Sequence, residues 1–434
     1  MASFIDLIAQ RIHLHREEFL AGLSSEPDGE IEHLLATGIQ DHWHSLLPEN
    51  SVNTHQSMLL TGAVDGSRAI RSLNTGADWI IAQALLIGPN GLRLSAVDTH
   101  LLRGETERPA VDRCASLLMR SLELDLALKF VQSGAGNVLL LDGSLYADLP
   151  YLLYNLAIGG YEDFPFRVLE RYLELFDLCQ KRDILLLGIA KSTRSTVLGR
   201  SILAQSISSM PSDLPKADSL QRSEADVQGE ALSGDSTGAF QRQYVRLGSN
   251  KPWLPSDSEL LHRWTKGSGL TDPVLLGSAS FGHTSAQMTA ALALRAKQSL
   301  HGPLSSAIQD RIQERLSPIQ ERLLAAPAIG TFYVRLAPGE DVLRVDALAS
   351  TFGRDDLRLL EFSQALAPYT TALPIVQHLL GGYGGFSVYN AALYVVDQEV
   401  RLHAETVDHV YLSVLRRQLG YPVQYDRSTR RFIR

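Results

Sequence analysis

The sequence predicts an α/β fold in which helices flank a mixed sheet made of an antiparallel three-strand meander and parallel strands. The first observation is a block of three strand-like runs, SMLLTGAVDGS, ADWIIAQALLIG and LRLSAVDTHLL. The last two are joined by Pro89, Asn90 and Gly91, and an Asn-Gly pair between two such runs is a strong hairpin signal. The second observation is that helical segments then alternate with short continuous apolar runs, which is typical of buried strands joined by crossover helices.

The remaining elements follow in chain order. Residues 110–131 have helical period and lead into the strand NVLLLDGSL, and the amphipathic helix FRVLERYLELFDLCQKR leads into the strand DILLLGIAKS. The resulting order is β-β-β-α-β-α-β. Further along, we expect a short strand at PVLLG, helices from about 285 to 324, the strand pair TFYVRL and VLRVDAL, and a helical region from Phe386 to Leu419.

Changes in composition divide the chain into four predicted regions. Residues 1–50 form an N-terminal helical extension, because apolar residues recur there at helical spacing. Residues 51–204 form the first part of the core. Residues 205–240 form a flexible insertion rich in Ser, Asp, Gly and Pro, and residues 241–434 complete the core and end in a C-terminal helical region.

Length and charge limit the possible functions. With 434 residues the chain can bury a sizeable core, and its net charge of −8 is too acidic for nucleic acid to be held by overall charge. No apolar run reaches the roughly 18–20 residues of a membrane span, and no basic segment followed by an apolar block opens the sequence. Two cysteines cannot by themselves form a disulfide framework or a four-ligand zinc site. We therefore expect a cytoplasmic protein that makes no contact with a membrane.

Contact with DNA would need a local basic patch or a partner. Any single basic side chain is more commonly a solvated surface group than a DNA contact, so composition alone does not show which of them would bind DNA. The candidates are Arg68, Arg71, Arg103, Arg108, Arg113, Arg120 and the tail RSTRRFIR.

Two carboxylates stand at the ends of predicted apolar strands. Asp65 ends the first strand in AVDGSR, and Asp142 ends the fourth strand in LLLDGSL. An acid at such a position points into the crevice where helices begin, which is the usual ligand position in open sheets. Asp-Gly is also common turn chemistry, so one motif alone is weak, whereas two copies at two strand ends favour a functional site.

Glu123 is a third candidate, because its neighbours on the predicted helix are mostly apolar. A carboxylate on an apolar stripe is costly unless a charged group meets it, and a salt bridge to Arg120 is the alternative interpretation. Asp125 lies four residues before Lys129 and is interpreted as half of a surface ion pair.

If the three acids meet, their mutual repulsion raises their pKa values unless a cation neutralises them. Oxygen ligands without Cys or His favour Mn²⁺ or Mg²⁺, and two such ions between Asp and Glu side chains suit phosphodiester cleavage. Lys191, at the end of the strand LLLGIAKS, is placed to stabilise charge developing on a phosphate. A solvated lysine at a strand end is the alternative.

Together, the segments AVDGSR, SLELDLAL, LLLDGSL, GIAKSTRS and TFYVRL with LRVD resemble the NurA nuclease family, a branch of the RNase H-like fold, from about residue 60 to 400. The resemblance implies a manganese-dependent DNA nuclease with 5′–3′ exonuclease and single-strand endonuclease activity. It also implies a homodimer that works with a HerA-type hexameric ATPase in DNA end resection or anti-phage defence. By motif, Asp65, Glu123 and Asp142 would be metal ligands, and Lys191 would lie near the scissile phosphate.

One position departs from the family pattern. Family members carry a His or Asp near the start of the C-terminal helix, whereas Asn390 falls at about that place in GGYGGFSVYNAALYVV. An amide oxygen is neutral and is a weaker ligand for a hard cation. If Asn390 is a metal ligand, the resemblance implies a loosely bound second metal or a need for the partner.

Two other functions remain open at this stage. An actin-like ATPase would share the strand meander and would also place Asp-Gly turns at phosphates, although a Glu on the first crossover helix suits metal ligation better. A catalytically inactive scaffold that binds DNA or an ATPase is the non-enzymatic alternative, and Asn390 is the residue that favours it. We also expect the terminal helices to make dimer or partner contacts.

Overall fold

A computed structural model provides the structure. It describes residues 4–23, 29–46, 60–103, 107–191, 194–209, 254–278, 298–299, 302–303, 306–362 and 364–425. The chain divides into two compact units, Met1–Trp43 with Ser192–Gly267 and His44–Lys191 with Ser268–Arg434. The regions predicted from composition, with boundaries at residues 50, 204 and 240, stay predictions.

The described helices confirm the predicted helical extensions at both ends of the chain. Within the described residues the α-helices are α1 (Phe4–Leu14), α2 (Arg16–Leu23), α3 (Gly29–His42), α4 (Arg108–Ser133), α5 (Phe164–Lys181), α6 (Val197–Ser209), α7 (Asp257–Trp264), α8 (Ser306–Ala325), α9 (Leu373–Gly381), α10 (Ala391–Val400) and α11 (Leu412–Leu419). None of these helices combines the length and apolar character needed to cross a membrane.

The strands of the described residues are β1 (Trp43–Ser45), β2 (Thr61–Ser72), β3 (Asp78–Ile87), β4 (Arg93–Leu102), β5 (Val138–Asp142), β6 (Leu185–Ala190), β7 (Gly269–Thr271), β8 (Val274–Leu276), β9 (Gln298–Ser299), β10 (Gly302–Pro303), β11 (Ile329–Arg335), β12 (Leu343–Leu348) and β13 (Gln364–Leu366). The main sheet runs in the order β1-β7-β11-β12-β6-β5-β2-β3-β4, with β8 joining β11 and β13.

The sheet is mixed, as predicted. Strands β2, β3 and β4 form the antiparallel meander, and β5 and β6 continue the sheet in parallel from β2. The β3–β4 connection uses Asn90 and Gly91 with φ of 56° and 74°, a left-handed conformation that these two residue types tolerate best. Beyond β6 the chain adds the antiparallel strands β12 and β11, so the predicted pair TFYVRL and VLRVDAL is confirmed.

Two helices position the centre of the sheet. Helix α4 packs against β2, β3 and β4, and helix α10 packs against β2, β3 and β5. Residues 62–65 at the start of β2 are all buried. Because successive strand residues point to opposite faces, this run shows that both faces of β2 are covered there.

Two helical predictions differ from the structure at their boundaries. The predicted helix from Phe386 begins at Ala391, because Asn390 caps it by accepting a hydrogen bond from the Leu393 N–H at 3.2 Å. Gly385, with φ of 103°, lies in the turn just before. The predicted helices over 285–324 correspond to α8 from Ser306 onward, whereas 285–297 and the insertion residues 210–240 lie outside the described residues.

The segment after α10 is anchored to the meander by polar contacts. Gln83 Nε2 donates to the Val400 carbonyl at 2.6 Å, and the Leu402 N–H donates to Ser67 Oγ at 2.9 Å. Arg71 Nε lies 2.6 Å from Asp408 Oδ1, and the Asp408 side chain is only 8 % exposed. These contacts hold the last residue of α10 and the segment after it against β2 and β3.

We expect Asp408→Asn to lower the free energy of unfolding by about 1–3 kcal/mol, because it leaves the Arg71 guanidinium without its charged partner in a mostly buried setting. Urea denaturation followed by circular dichroism measures this. Unchanged stability would show that the ion pair contributes no net free energy at this position.

Candidate functional site

The pairing of β2 with β5 brings Asp65 and Asp142 side by side. The parallel register pairs Val64 with Leu141 as its last step, so Asp65 and Asp142 follow at the next position on neighbouring strands. Asp65 is 9 % exposed, and the side chain of Asp142 is 22 % exposed. Asp142 ends β5, as the sequence predicted, whereas Asp65 lies within β2, which continues to Ser72, so the prediction that Asp65 ends its strand is wrong.

The two acids face the same side of the sheet. Alternation along each strand puts Asp65 on the face of Ala63, and Asp142 on the face of Leu140. Ala63 and Leu140 belong to the apolar core that also contains Leu393 of α10. Asp65 and Asp142 thus extend this core surface on the side of α10.

Glu123 reaches the sheet from the other side, on α4. A Cβ built on Gly66 would collide with Glu123 Oε1 and would lie 2.6 Å from Met119 Cγ. Only glycine at this position lets the carboxyl group lie directly against the β2 backbone, next to Asp65. Glu123 is 2 % exposed, so helix and strand enclose it.

Arg120 links Glu123 to the end of β5. Its Nη1 lies 2.6 Å from Glu123 Oε2 and 3.4 Å from the Asp142 carbonyl oxygen, and its Nε lies 3.7 Å from Asp148 Oδ2. The ion pair considered as the alternative role of Glu123 is therefore present. No N–H among the described residues is aligned to donate a hydrogen bond to Glu123 Oε2, so this buried oxygen has a charged neighbour and no hydrogen-bond donor.

Lys191 meets Asp142 on the α10 side. Its Nζ lies 3.0 Å from Asp142 Oδ2 and 4.5 Å from the centre of the Tyr389 ring. The lysine side chain is 41 % exposed, so one side of the ammonium faces solvent. This arrangement leaves Lys191 both paired with an acid and accessible to an anionic ligand.

Burial and the neighbouring negative charges raise the pKa values of acidic groups in the site. Burial, with the Asp142 charge as the next largest cause, raises the pKa of Asp65 to about 6, although the Gly66 N–H donates to its Oδ1 at 2.7 Å and opposes the shift. Burial also raises the pKa of Glu123, against the opposing effect of Arg120. Burial and the charges of Asp142 and Asp65 raise the pKa of the Tyr389 hydroxyl. Such shifts mark a pocket where negative charge is crowded and a cation would be favoured.

Cationic side chains pair with two of the three acids in this structure. Across the described part of the chain, no three His, Cys, Asp or Glu side chains are arranged as a group that could hold a metal ion. Lys191 pairs with Asp142 and Arg120 pairs with Glu123 instead. Bringing the three carboxylates onto one cation therefore requires side-chain rotation, with Lys191 and Arg120 giving up these contacts.

Asn390 has a different role in the local geometry. It is 3 % exposed, and its Oδ1 accepts the Leu393 N–H at the first turn of α10. That Asn390 ligates a metal stays a prediction. The neighbouring Tyr389 ring reaches Lys191, so the start of α10 contributes to the site through a residue that the sequence reasoning did not select.

A further acid was also missed. Asp397 lies on α10, and its negative charge contributes to the raised pKa of both Asp65 and Tyr389. It stands seven residues after Asn390, two helical turns further on, which is the sequence signal that could have placed it on the same face.

Most of the predicted basic contacts are used within the protein. Arg68 lies 4.0 Å from Asp112, Arg71 pairs with Asp408, and Arg108 lies 3.5 Å from Asp78. Arg113 donates to backbone carbonyls, at 2.7 Å for that of Tyr151. These arginines stabilise the fold, and the tail RSTRRFIR lies outside the described residues.

Comparisons with known proteins point to one family. The family model of the NurA domain matches residues 59–401. The crystal structure of the NurA nuclease from Sulfolobus solfataricus is similar over 97 % of this chain and 100 % of that chain, with 14 % identity and a TM-score of 0.51. A crystal structure of NurA bound to dAMP and manganese covers 93 % of this chain and 96 % of its own, with 14 % identity and a TM-score of 0.41. No curated protein matches the chain.

The raised pKa of Asp65 predicts a pH-dependent stability. An aspartate titrates near 3.8 in its ordinary state and near 6 in this fold, so the folded protein binds this proton more tightly than the unfolded chain. The contribution of Asp65 to the free energy of unfolding therefore falls as the pH rises between these two values. With a chelator present, we expect Asp65→Asn to unfold at a higher temperature than the wild type at pH 8.

This difference should vanish near pH 4, where Asp65 is protonated in the folded wild type. Thermal scans of both proteins across this pH range measure it. Asp125→Asn is the matched control, because Asp125 lies on the surface in an ion pair with Arg171. A lower melting temperature for Asp65→Asn at pH 8 would contradict the prediction.

Proposed function

The chain belongs to the NurA family, and from this premise we propose that it is a Mn²⁺- or Mg²⁺-dependent DNA nuclease that hydrolyses phosphodiester bonds by a two-metal mechanism. The observation that carries the proposal is that acids from three separate elements lie near enough for the charges of Asp65 and Asp142 to raise the pKa of Glu123. Asp65 and Asp142 come from paired parallel strands, and Glu123 comes from the helix packed on the first of them. Their crowded negative charge suits a site for divalent cations.

The donor set fits a hard cation. All three candidate ligands, Asp65, Glu123 and Asp142, offer carboxylate oxygens, which Mn²⁺ and Mg²⁺ prefer over sulfur. Glu123 Oε2 is buried with the Arg120 guanidinium as its only charged neighbour among the pairs described, so a cation at this oxygen would take the place of Arg120. When bound, divalent cations polarise the attacking water and offset charge on the scissile phosphate.

We assign a separate task to Lys191. Its ammonium group balances Asp142 in this structure and faces solvent on its other side. With a cation held by Asp142, this ammonium would be available to contact the phosphate of the substrate and to stabilise its developing charge. The Tyr389 ring beneath Nζ restricts the directions in which the lysine can turn.

The partners follow from the family resemblance and belong to the same proposal. We propose that DNA is the substrate and that a homodimer acts with a HerA-type hexameric ATPase in end resection or anti-phage defence, in the cytoplasm. The exposed apolar side chains of α1 support a protein contact, because Phe4 is 85 % and Ile5 78 % exposed. Deleting residues 1–45 without any change in oligomeric state or ATPase binding would remove this support.

The activity test uses purified protein with linear single- and double-stranded DNA, with and without Mn²⁺ or Mg²⁺. We expect Asp65→Asn, Glu123→Gln and Asp142→Asn each to lose more activity than the roughly 10- to 100-fold that follows loss of an outer-shell partner, because each removes a ligand itself. Gel assays of end-labelled DNA measure both rate and polarity.

Asp125→Asn is the control for Glu123→Gln, since it lies on the same helix and is 34 % exposed. It should keep wild-type activity. An inactive wild type that binds ATP tightly would support the actin-like alternative. An inactive wild type that binds an ATPase partner would support the scaffold.

Lys191→Met gives a separate prediction. Removing the ammonium frees Asp142 from its ion pair, so Mn²⁺ should bind at least as tightly as in the wild type. The rate at saturating Mn²⁺ should nevertheless fall by about 10²–10³-fold, the usual loss when one charge-stabilising group is removed. Calorimetric Mn²⁺ titration and single-turnover cleavage separate the two effects. Weaker Mn²⁺ binding with an unchanged saturating rate would assign Lys191 to the metal site instead.

A further inference from the structure

Asp346 lies at the centre of a buried polar network beneath the proposed site. It stands on β12 and has no exposed surface. Its Oδ2 accepts the Ser144 hydroxyl at 2.5 Å and the Leu145 N–H at 3.0 Å, and its Oδ1 accepts Arg344 Nε at 2.9 Å. Ser144 and Leu145 immediately follow Asp142 and Gly143, so the loop that leaves the metal site is attached to a strand 202 residues away in sequence.

The path from Asp346 to this loop crosses β6 at a glycine. Gly188 pairs with Asp346 in the antiparallel register of β6 and β12. A Cβ on Gly188 would lie 2.7 Å from the Gly143 carbonyl oxygen and 3.0 Å from the Leu145 nitrogen, both of which are backbone atoms. The missing side chain therefore lets the loop lie directly on β6 and reach the carboxylate on the next strand.

The loop has further connections that make it rigid. Ser144 Oγ accepts the N–H groups of Tyr146 and Ala147 at 3.1 Å and 3.0 Å while its own proton goes to Asp346. The Gly143 N–H donates to the Ile189 carbonyl at 2.8 Å. Asp346 thus holds a serine that in turn organises the turn after Asp142.

A buried carboxylate is a costly way to hold a loop. Taking its charge out of water is unfavourable unless good partners compensate, and apolar residues of similar size often stabilise a core as well. Asp346 accepts from three residues, one of which is the charged Arg344, and its directional contacts all serve the segment behind Asp142 and its own neighbour Arg344. Directional hydrogen bonds fix an angle and a position, which apolar packing does not.

We propose that Asp346 is a positioning residue for the metal site: through Ser144 and Leu145 it fixes the loop that sets the direction of the Asp142 carboxylate beside Asp65. The inference rests on the proposed metal-dependent function. Without Asp346, Asp142 would remain able to bind a cation. The three acids would then have to be ordered during binding, which weakens the affinity for the cation.

The test compares Asp346→Asn, Ser144→Ala and Gly188→Ala with the wild type. Calorimetry gives the Mn²⁺ dissociation constant, and DNA cleavage at a series of Mn²⁺ concentrations gives the apparent Mn²⁺ constant and the saturating rate. We expect the Mn²⁺ constants of Asp346→Asn and Gly188→Ala to rise about tenfold. The saturating rate should stay within about threefold of the wild type, because excess cation restores the ordered site. Ser144→Ala should show a smaller rise, since the Leu145 N–H still binds Asp346.

Asp408→Asn is the matched control, because it makes the same substitution at another mostly buried, arginine-paired aspartate that lies outside this network. It should lose stability and keep the wild-type Mn²⁺ constant. Thermal unfolding of every variant separates loss of stability from loss of metal affinity. If Asp346→Asn does not fold, Ser144→Ala decides, because it removes only the hydrogen bonds of the Ser144 hydroxyl and leaves the Asp346–Arg344 pair intact.

The inference is overturned if folded Asp346→Asn or Ser144→Ala binds Mn²⁺ as the wild type does, or if Asp408→Asn weakens Mn²⁺ equally. A wild type that cleaves DNA without any divalent cation, or that binds none, would instead overturn the proposed function and the inference with it. The two failures are therefore distinguishable.

Discussion

The parallel pairing of β2 with β5 is the constraint on which the rest of this site depends. Its register ends at Val64 and Leu141, so the next residue on each strand is an aspartate. The strand ladder holds these two backbone positions side by side, so the repulsion between the two carboxylates has to be met by cations. Lys191 and Arg120 meet it in this structure, and both come from elements that adjoin β5 or β2.

Glu123, the third acid, reaches the site by lying against the β2 backbone at Gly66. Glu123 approaches from α4, on the opposite face from Asp65 and Asp142, and an ordinary side chain at Gly66 would block it. Gly66 lies within strand β2 and not in a turn, and its missing side chain gives a helix on one face access to a site that opens towards the other. Burial on both faces of the sheet is the main reason why the pKa values of Asp65 and Glu123 are raised.

Local sequence patterns predicted much of this site, and the residues they missed depend on tertiary packing. Apolar runs ending in Asp-Gly-Ser identified Asp65 and Asp142, and a carboxylate on an apolar helical stripe identified Glu123. Asn390 was considered as a ligand substitute, whereas the structure shows the Asn side chain capping a helix, a role that its residue type before an apolar helical run also predicts.

Other features had no local signal. The pairing of Arg71 with Asp408 joins residues 337 positions apart, so no spacing rule could show that a predicted basic candidate was already neutralised. In the sequence, Asp346 looks like an ordinary residue of a strand with alternating polarity. Its role depends on Gly188 in the neighbouring strand β6 and on Ser144 in the loop after β5. The segments TFYVRL and LRVD carried the family resemblance without any chemical role attached to them, and the network around Asp346 supplies a physical reason for an acid there.

Because of the hydrogen bonds around Asp346, an ordered metal site depends on the pairing of β12 with β6. Asp142 belongs to the first half of the chain and Asp346 to the second, and β6 lies between their strands. The loop after Asp142 can be fixed only when β12 has paired with β6, because its hydrogen-bond acceptor is on β12. A partly folded chain that has formed only the meander, α4 and β5 would hold the three acids without this support. Asp142 would then adjoin a mobile loop, so ordered metal binding is coupled to docking of β12.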